Sequence, residues 1–191
     1  MTKLEIFNRA LAEIGHDRTI PALDSTMTEN QRCLLAWDGA RISVLTAHEW
    51  NWLVAETPLI EGAVCTDDES HLGDNFWSRP SGYLRLLAVV GEDNRRVDWS
   101  TANGLIYSKA TAIKMRYIPD SPDPEDWPQQ IADAVTYELA ARISLPMSAS
   151  GKTMVAMKQL STASIAQAAS HDAAEMRRGG SSGRKYADSR N

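Results

Sequence analysis

The stretch His48-Glu49-Trp50-Asn51-Trp52-Leu53-Val54 is where the chain changes its period. Before it, apolar residues recur every three or four positions; after it, short β-favouring runs are split by turn residues. Reading back from this junction, Cys33, Trp37, Ala40, Val44 and Ala47 share one helical face. Thr26 and Glu29 stand ahead of them in capping-box spacing, where each side chain satisfies a backbone N–H of the other. Earlier still, Thr2 and Glu5 repeat the box, Leu4, Phe7, Leu11 and Ile14 form a first stripe, and Gly15 is a natural stop. The loop Asp17–Ser25 joins the two helices, with Ile20 and Leu23 expected against the core. So short a connection predicts an antiparallel pair.

Reading forward, Tyr83–Val90 is apolar and β-favouring, Gly91-Glu92-Asp93-Asn94 is a turn cluster, and Arg96–Trp99 alternates. Asn103-Gly104 is a strong hairpin signal because both residues tolerate positive φ. Leu105–Tyr107 and Ile113–Ile118 supply further strands. Helical spacing returns after the proline-rich 119–124, with Ile131, Val135, Leu139 and Ile143 four apart, Pro128 at the start and Pro146 at the end. A last helix is expected from Lys152 to Arg177, with a thin apolar side of Met154, Met157, Leu160, Ile165 and many alanines. Gly179-Gly180-Ser181-Ser182-Gly183 then reads as the start of a flexible tail. The order helix–helix, strands, helix–helix predicts an α+β fold. Residues 1–56 and 119–178 would close into an antiparallel four-helix bundle, 57–118 would form a central antiparallel β subdomain, and 179–191 a C-terminal arm.

Composition narrows the function. The chain has 191 residues, 43% hydrophobic and 24% charged, with a net charge of −5. Residues 152–191 hold seven basic and three acidic side chains, which leaves the first 151 residues at −9. An acidic body with a basic end argues against a general DNA-coating protein. Cys33 and Cys65 are too few for a disulfide framework or a cysteine zinc site, which points to a reducing compartment. The start lacks the charged-then-apolar pattern of a secretory leader. The longest purely apolar run, Leu86–Val90, is five residues, so no transmembrane helix is expected.

No catalytic, cofactor or metal constellation stands out. Gly151-Lys152-Thr153 suggests a phosphate loop, but the first glycine of that motif would fall at Pro146, and the segment before it is helical. His16, His48, His71 and His171 lack ligand spacing, and Cys33 lies on an apolar face as a small buried hydrophobe. No G-x-S-x-G elbow occurs. Paired carboxylates are the one chemistry that needs no fixed spacing. Among Glu49, Asp67, Asp68, Glu69, Asp74, Glu125 and Asp126, the acidic loop at 67–74 with the nearby Trp77 is the candidate for glycan hydrolysis or binding. Six tryptophans are many for this length; they suit either a stacking platform or a core and subunit interface. Trp37, Trp50 and Trp52 are assigned to the core at the junction. The basic tail suits a solvated end, weak nucleic-acid contact, or a docking arm that orders on a partner.

Several motifs, in order, resemble one family. Ile6-Phe7-Asn8-Arg9-Ala10-Leu11-Ala12-Glu13-Ile14-Gly15 resembles the first helix of the tail tubular protein A, or head-to-tail adaptor, family of short-tailed bacteriophages. Leu23-Asp24-Ser25 and the helix near Glu29 follow in the same order. His48-Glu49-Trp50-Asn51-Trp52 resembles its His-Pro-Trp-Asn-aromatic junction, with Glu49 in place of the proline. Arg79-Pro80-Ser81-Gly82-Tyr83-Leu84-Arg85 is similar to its strand entry, and Asp126-Trp127-Pro128 precedes an alanine-rich helix as it does there. The resemblance spans residues 4–178. It implies a structural virion protein without enzyme activity or cofactor, assembled in the host cytoplasm into a neck ring, usually of twelve copies. Its partners would be the portal protein, a tail or nozzle protein and itself, with DNA passing through the lumen without specific binding. By the same resemblance Arg184, Lys185, Tyr186 and Arg190 would belong to a portal-binding arm, and Trp77 and Trp99 would face the tail protein or a subunit interface. A tail-associated polysaccharide hydrolase or glycan binder is the alternative.

Overall fold

The computed structural model describes residues 1–59, 75–121, 123–147 and 149–185, with side-chain surroundings up to residue 175. Two compact units are present: Met1–Asn51 with Ser121–Asn191, and Trp52–Asp120.

The first unit holds the helices α1 (Lys3–Glu13), α2 (Thr28–Leu45), α3 (Gln129–Ser144) and α4 (Gly151–Lys185). The first capping box forms: Thr2 Oγ1 accepts from the Glu5 amide at 3.2 Å, and Glu5 Oε2 accepts from the Thr2 amide at 2.8 Å. Gly15, at φ +77°, ends the turn after α1, where the left-handed backbone costs glycine least. The buried stripe of α1 is Ile6, Phe7, Ala10 and Leu11. Leu4 and Ile14 lie half-buried at its edges. In the following loop Asn8 pairs with the backbone of Ile20 on both sides, accepting from its N–H at 2.7 Å and donating to its carbonyl at 3.0 Å. Ile20 is thereby pinned in the core, whereas Leu23 remains exposed.

The second capping box does not form. Met27 is the N-cap of α2 and gives no side-chain cap. The Glu29 carboxylate instead meets its own backbone N–H, His16 Nε2 at 3.1 Å and Arg18 Nη1 at 3.7 Å, and these partners take the place of the Thr26 amide.

The expected four-helix bundle is also absent. α1, α2 and α4 each pack along α3, while α1 and α2 do not run side by side. Those two meet instead through an edge-to-face contact of Phe7 and Trp37 at 5.5 Å. The reason lies in α3. Besides the stripe Ile131, Val135, Leu139 and Ile143, it buries Ala132, Ala134, Thr136, Ala140, Ala141 and Ser144. These small side chains let neighbouring helices approach from several sides, so α3 is a shared axis rather than one of four equal corners. Its buried hydroxyls are satisfied internally, Thr136 to the Ala132 carbonyl at 2.8 Å and Ser144 to the Ala140 carbonyl at 2.7 Å.

α4 begins with Ser150, whose Oγ accepts from the Thr153 amide at 3.1 Å. Its 35 residues correspond to about 52 Å of helix. It continues through the glycine-serine stretch at which the sequence suggests an arm begins. Among its residues up to 175, Met157, Ser161, Ala168 and Asp172 are the buried positions. Asp172 ties α4 to the junction: its carboxylate accepts from the Asn51 amide at 3.1 Å, and Asn51 Nδ2 donates to the Asp172 carbonyl at 3.1 Å. His48 Nε2 lies 3.4 Å from the same carboxylate.

The second unit contains two three-stranded antiparallel sheets. One has the order β1 (Ala55–Pro58), β6 (Ile113–Pro119), β3 (Tyr83–Gly91); the other β2 (Asn75–Ser78), β5 (Leu105–Ser108), β4 (Trp99–Ala102). β4 and β5 are joined by Asn103-Gly104 at φ 50° and 79°, the two-residue turn that matches strand twist. One core joins both sheets: Trp77 of β2, Val89 of β3, Ile106 of β5, and Ile113 and Met115 of β6.

Candidate functional site

The most distinctive polar arrangement in the helical unit surrounds Glu138. This α3 carboxylate is almost wholly buried, yet it accepts from Lys158 Nζ at 2.6 Å, Arg142 Nε at 3.1 Å and Ser161 Oγ at 3.2 Å. Burial alone pushes the carboxyl upward; the hydrogen bond and charge of Lys158, then Arg142, outweigh it and hold it below the usual carboxylate range. Two cations around one carboxylate leave a surplus positive charge.

Above this cluster lies an open groove of about 760 Å³ between α3 and α4. Ala141, Ala163 and Ala166 keep its walls low, and Leu145 and Val155 stand at it, 56% and 49% exposed. Apolar groups left exposed around a groove mark an interaction surface more often than chance. The outer side of α2 carries two more, Leu34 and Leu35.

The tryptophans divide by burial. Trp37 is buried and stacks on Trp127 at 5.9 Å with Lys3 over its ring, and Trp50 is buried with its indole N–H on the Val44 carbonyl at 3.3 Å. Burial pushes the Lys3 ammonium below its ordinary value; Asp38 opposes this and Arg41 adds to it. Trp52, assigned with them to the core, instead sits in a turn and stays exposed. Trp77 is enclosed in the β core and has no outward face to offer a tail protein, whereas Trp99 at the edge strand β4 is 42% exposed. Burial of Trp77 follows from its place opposite Ile106 in the β2–β5 ladder.

The remaining candidates separate in the same way. Gly151-Lys152-Thr153 opens α4 and forms no phosphate loop. Cys33 is buried, and desolvation, then the nearby Glu29 charge, push its thiol up to about 12, which leaves it unreactive. His16 and His48 each serve a carboxylate, Glu29 and Asp172. Glu29 is held low first by its own backbone N–H and then by His16. Among the described residues no group of three or more His, Cys, Asp or Glu side chains could hold a metal, and no helix is long and apolar enough to cross a membrane. Cys65, Asp67, Asp68, Glu69, His71 and Asp74 lie outside the described residues, as do Tyr186 and Arg190. Arg184 and Lys185 fall in the last turn of α4, their side chains outside the described set.

The α3/α4 groove and the Glu138 cluster escape a sequence search because their signals are ordinary. Glu138 and Arg142 read as a routine i,i+4 surface pair. Only the packing of α4, twenty residues on, buries the carboxylate. No family model matches the chain, and no curated protein matches it.

Proposed function

We propose that this chain is a structural subunit of a phage head-to-tail adaptor ring, joining a portal to a tail. The observation that carries the proposal is the ordered run of motifs from Ile6–Gly15 through the Trp50 junction to Asp126-Trp127-Pro128. Three features support it. Both ends of the chain build one helical unit, around α3. Leu34, Leu35, Leu145 and Val155 give that unit exposed apolar surface suited to contacts between copies. α4 continues thirteen residues past Asp172, which bonds Asn51, or about 20 Å, and reaches the basic segment assigned to portal binding.

In this reading the portal protein, a tail or nozzle protein and further copies of the chain are the partners. The virion neck is the location, and Trp99 is the tryptophan free to meet the tail side. The acidic body lets DNA slide rather than stick. Co-expression with the portal protein of the same genome, followed by sedimentation and negative-stain imaging, tests the proposal. A stacked ring beneath the portal is the expected result. Sedimentation of the chain as a separate monomer, under conditions where the portal ring forms, overturns it. Truncation after Arg178 should abolish docking while leaving the circular-dichroism spectrum of the helical unit in place; unchanged docking removes the arm assignment.

A further inference from the structure

Leu35 of α2 and the α3/α4 groove belong to one surface. Gly39, one turn after Leu35, lies against the Arg142 side chain: a Cβ there would stand 2.7 Å from Nη1. Arg142 in turn lines the groove, on which Leu145 and Val155 are exposed. A cation therefore sits within apolar surface, with Leu35 on its α2 side and the groove on its α4 side. Its charge is only partly answered. The charged residues lining the groove are Glu138, Arg142 and Lys158, which sum to one positive charge. Both oxygens of Glu138 are taken, Oε1 by Arg142 Nε and Lys158 Nζ, Oε2 by Lys158 Nζ and Ser161 Oγ. Among the described residues Nη1 and Nη2 of Arg142 have no acceptor. Such a pair of guanidinium nitrogens matches the two oxygens of a carboxylate.

We infer that the groove receives an amphipathic helix of a partner chain, whose apolar residues flank an Asp or Glu that meets Arg142. The groove follows α4 from Met154 to Ala166, about 18 Å, or three turns of an occupying helix. Apolar surface on both sides of the cation suits a helix face with its acid at mid-length; a fatty acid, with its carboxylate at one end, would cover one side only. A second copy offers no such face on the described parts of α2 and α4. Their exposed large apolar residues are Leu34 and Leu35 on α2 and Val155 and Leu160 on α4. Asp38, one turn from the first pair, is already ion-paired with Arg41, and no acid lies within a turn of the second. The inference goes beyond the adaptor reading and does not rest on it, because the geometry is that of the helical unit alone.

The probe is a yeast-displayed library of helical alanine-glutamine peptides of about 16 residues, randomised along one face. It is selected on the full chain and counter-selected on Val155→Asp, a change at a half-exposed position whose folding is checked by far-UV circular dichroism. Peptides carrying an Asp or Glu between apolar residues should enrich on the wild type alone. Fluorescence anisotropy of the leading peptide should show a loss of about tenfold or more in affinity when its acid becomes an amide. Arg142→Gln should cause the same loss, and the two changes together should cost no more than either. Damage to the fold would instead weaken acid and amide peptides equally. That pattern, or leading peptides without an acid, overturns the inference. Absence of enrichment also overturns it. In that case dodecanoate binding that Val155→Asp removes would assign the groove to a fatty acid, and self-association in sedimentation that Val155→Asp removes would assign it to a second copy.

Discussion

Replacing Glu138 with Gln removes the one negative charge between Lys158 and Arg142 while keeping the side-chain volume. The amide retains a single acceptor oxygen and turns its NH2 toward donors, so at least one of the contacts at 2.6 Å, 3.1 Å and 3.2 Å is lost. A buried charge-assisted hydrogen bond contributes about 1.5–3 kcal/mol. Here the cations are 57% and 41% exposed and regain water when released, so each contact is discounted to about 1 kcal/mol. The expected cost is about 2 kcal/mol. With a urea slope of about 2 kcal/mol per molar, the midpoint followed by far-UV circular dichroism should fall by about 1 M at pH 7. The pH dependence has a definite sign. The folded carboxyl is held below its ordinary 4.5, so its contribution is complete above that value and is lost as pH falls through the folded value. The gap between wild type and Glu138→Gln should narrow steadily below pH 4.5. Equal midpoints at pH 7, or a gap undiminished at pH 3, would refute the account of Glu138 as an ion-paired carboxylate.

Three further outcomes are expected. In a Cys65→Ser background the Cys33 thiol, buried and pushed up to about 12, should not react with a thiol reagent at pH 8 until denaturant is added; rapid native-state labelling would contradict its burial. Gly104→Ala should cost about 1 kcal/mol by chemical denaturation, because φ is +79° there. Gly39→Ala should stay within about 0.5 kcal/mol, since its new Cβ meets only the movable end of Arg142 and gains helix propensity. Trp77→Ala should destabilise the β unit by about 3–5 kcal/mol, whereas Trp99→Ala should leave thermal stability nearly unchanged.

The local grammar of this chain was legible where one signal acts alone. Thr2 and Glu5 have no competing partner, and their capping box forms as written. Asn103-Gly104 has only one turn open to it, and the hairpin follows. Legibility fails where a distant residue competes. Thr26 and Glu29 spell the same box, but His16 and Arg18 take the carboxylate. The four-residue stripe of α3 suggested one buried face, while its alanines, threonine and serine allowed burial on other faces and turned a bundle corner into an axis. The cluster at Glu138 needs α4 to bury it, so residues 138–142 alone do not announce it. Trp50 and Trp52 look equivalent in sequence, yet only Trp50 finds a carbonyl for its indole N–H in the interior.

The central place of α3 also sets a timetable for synthesis. Ile6, Phe7, Leu11 and Trp37 leave the ribosome early, but the helix that buries them ends roughly a hundred residues after α2 does. At about 5–20 residues per second that is a wait of about 5–20 s with a sticky helical stripe uncovered. The strands of 75–119 emerge within this interval and can satisfy one another without α3. Nascent α1 and α2 are therefore the segments a holding chaperone would grip, and release would be timed by the arrival of residues 129–144.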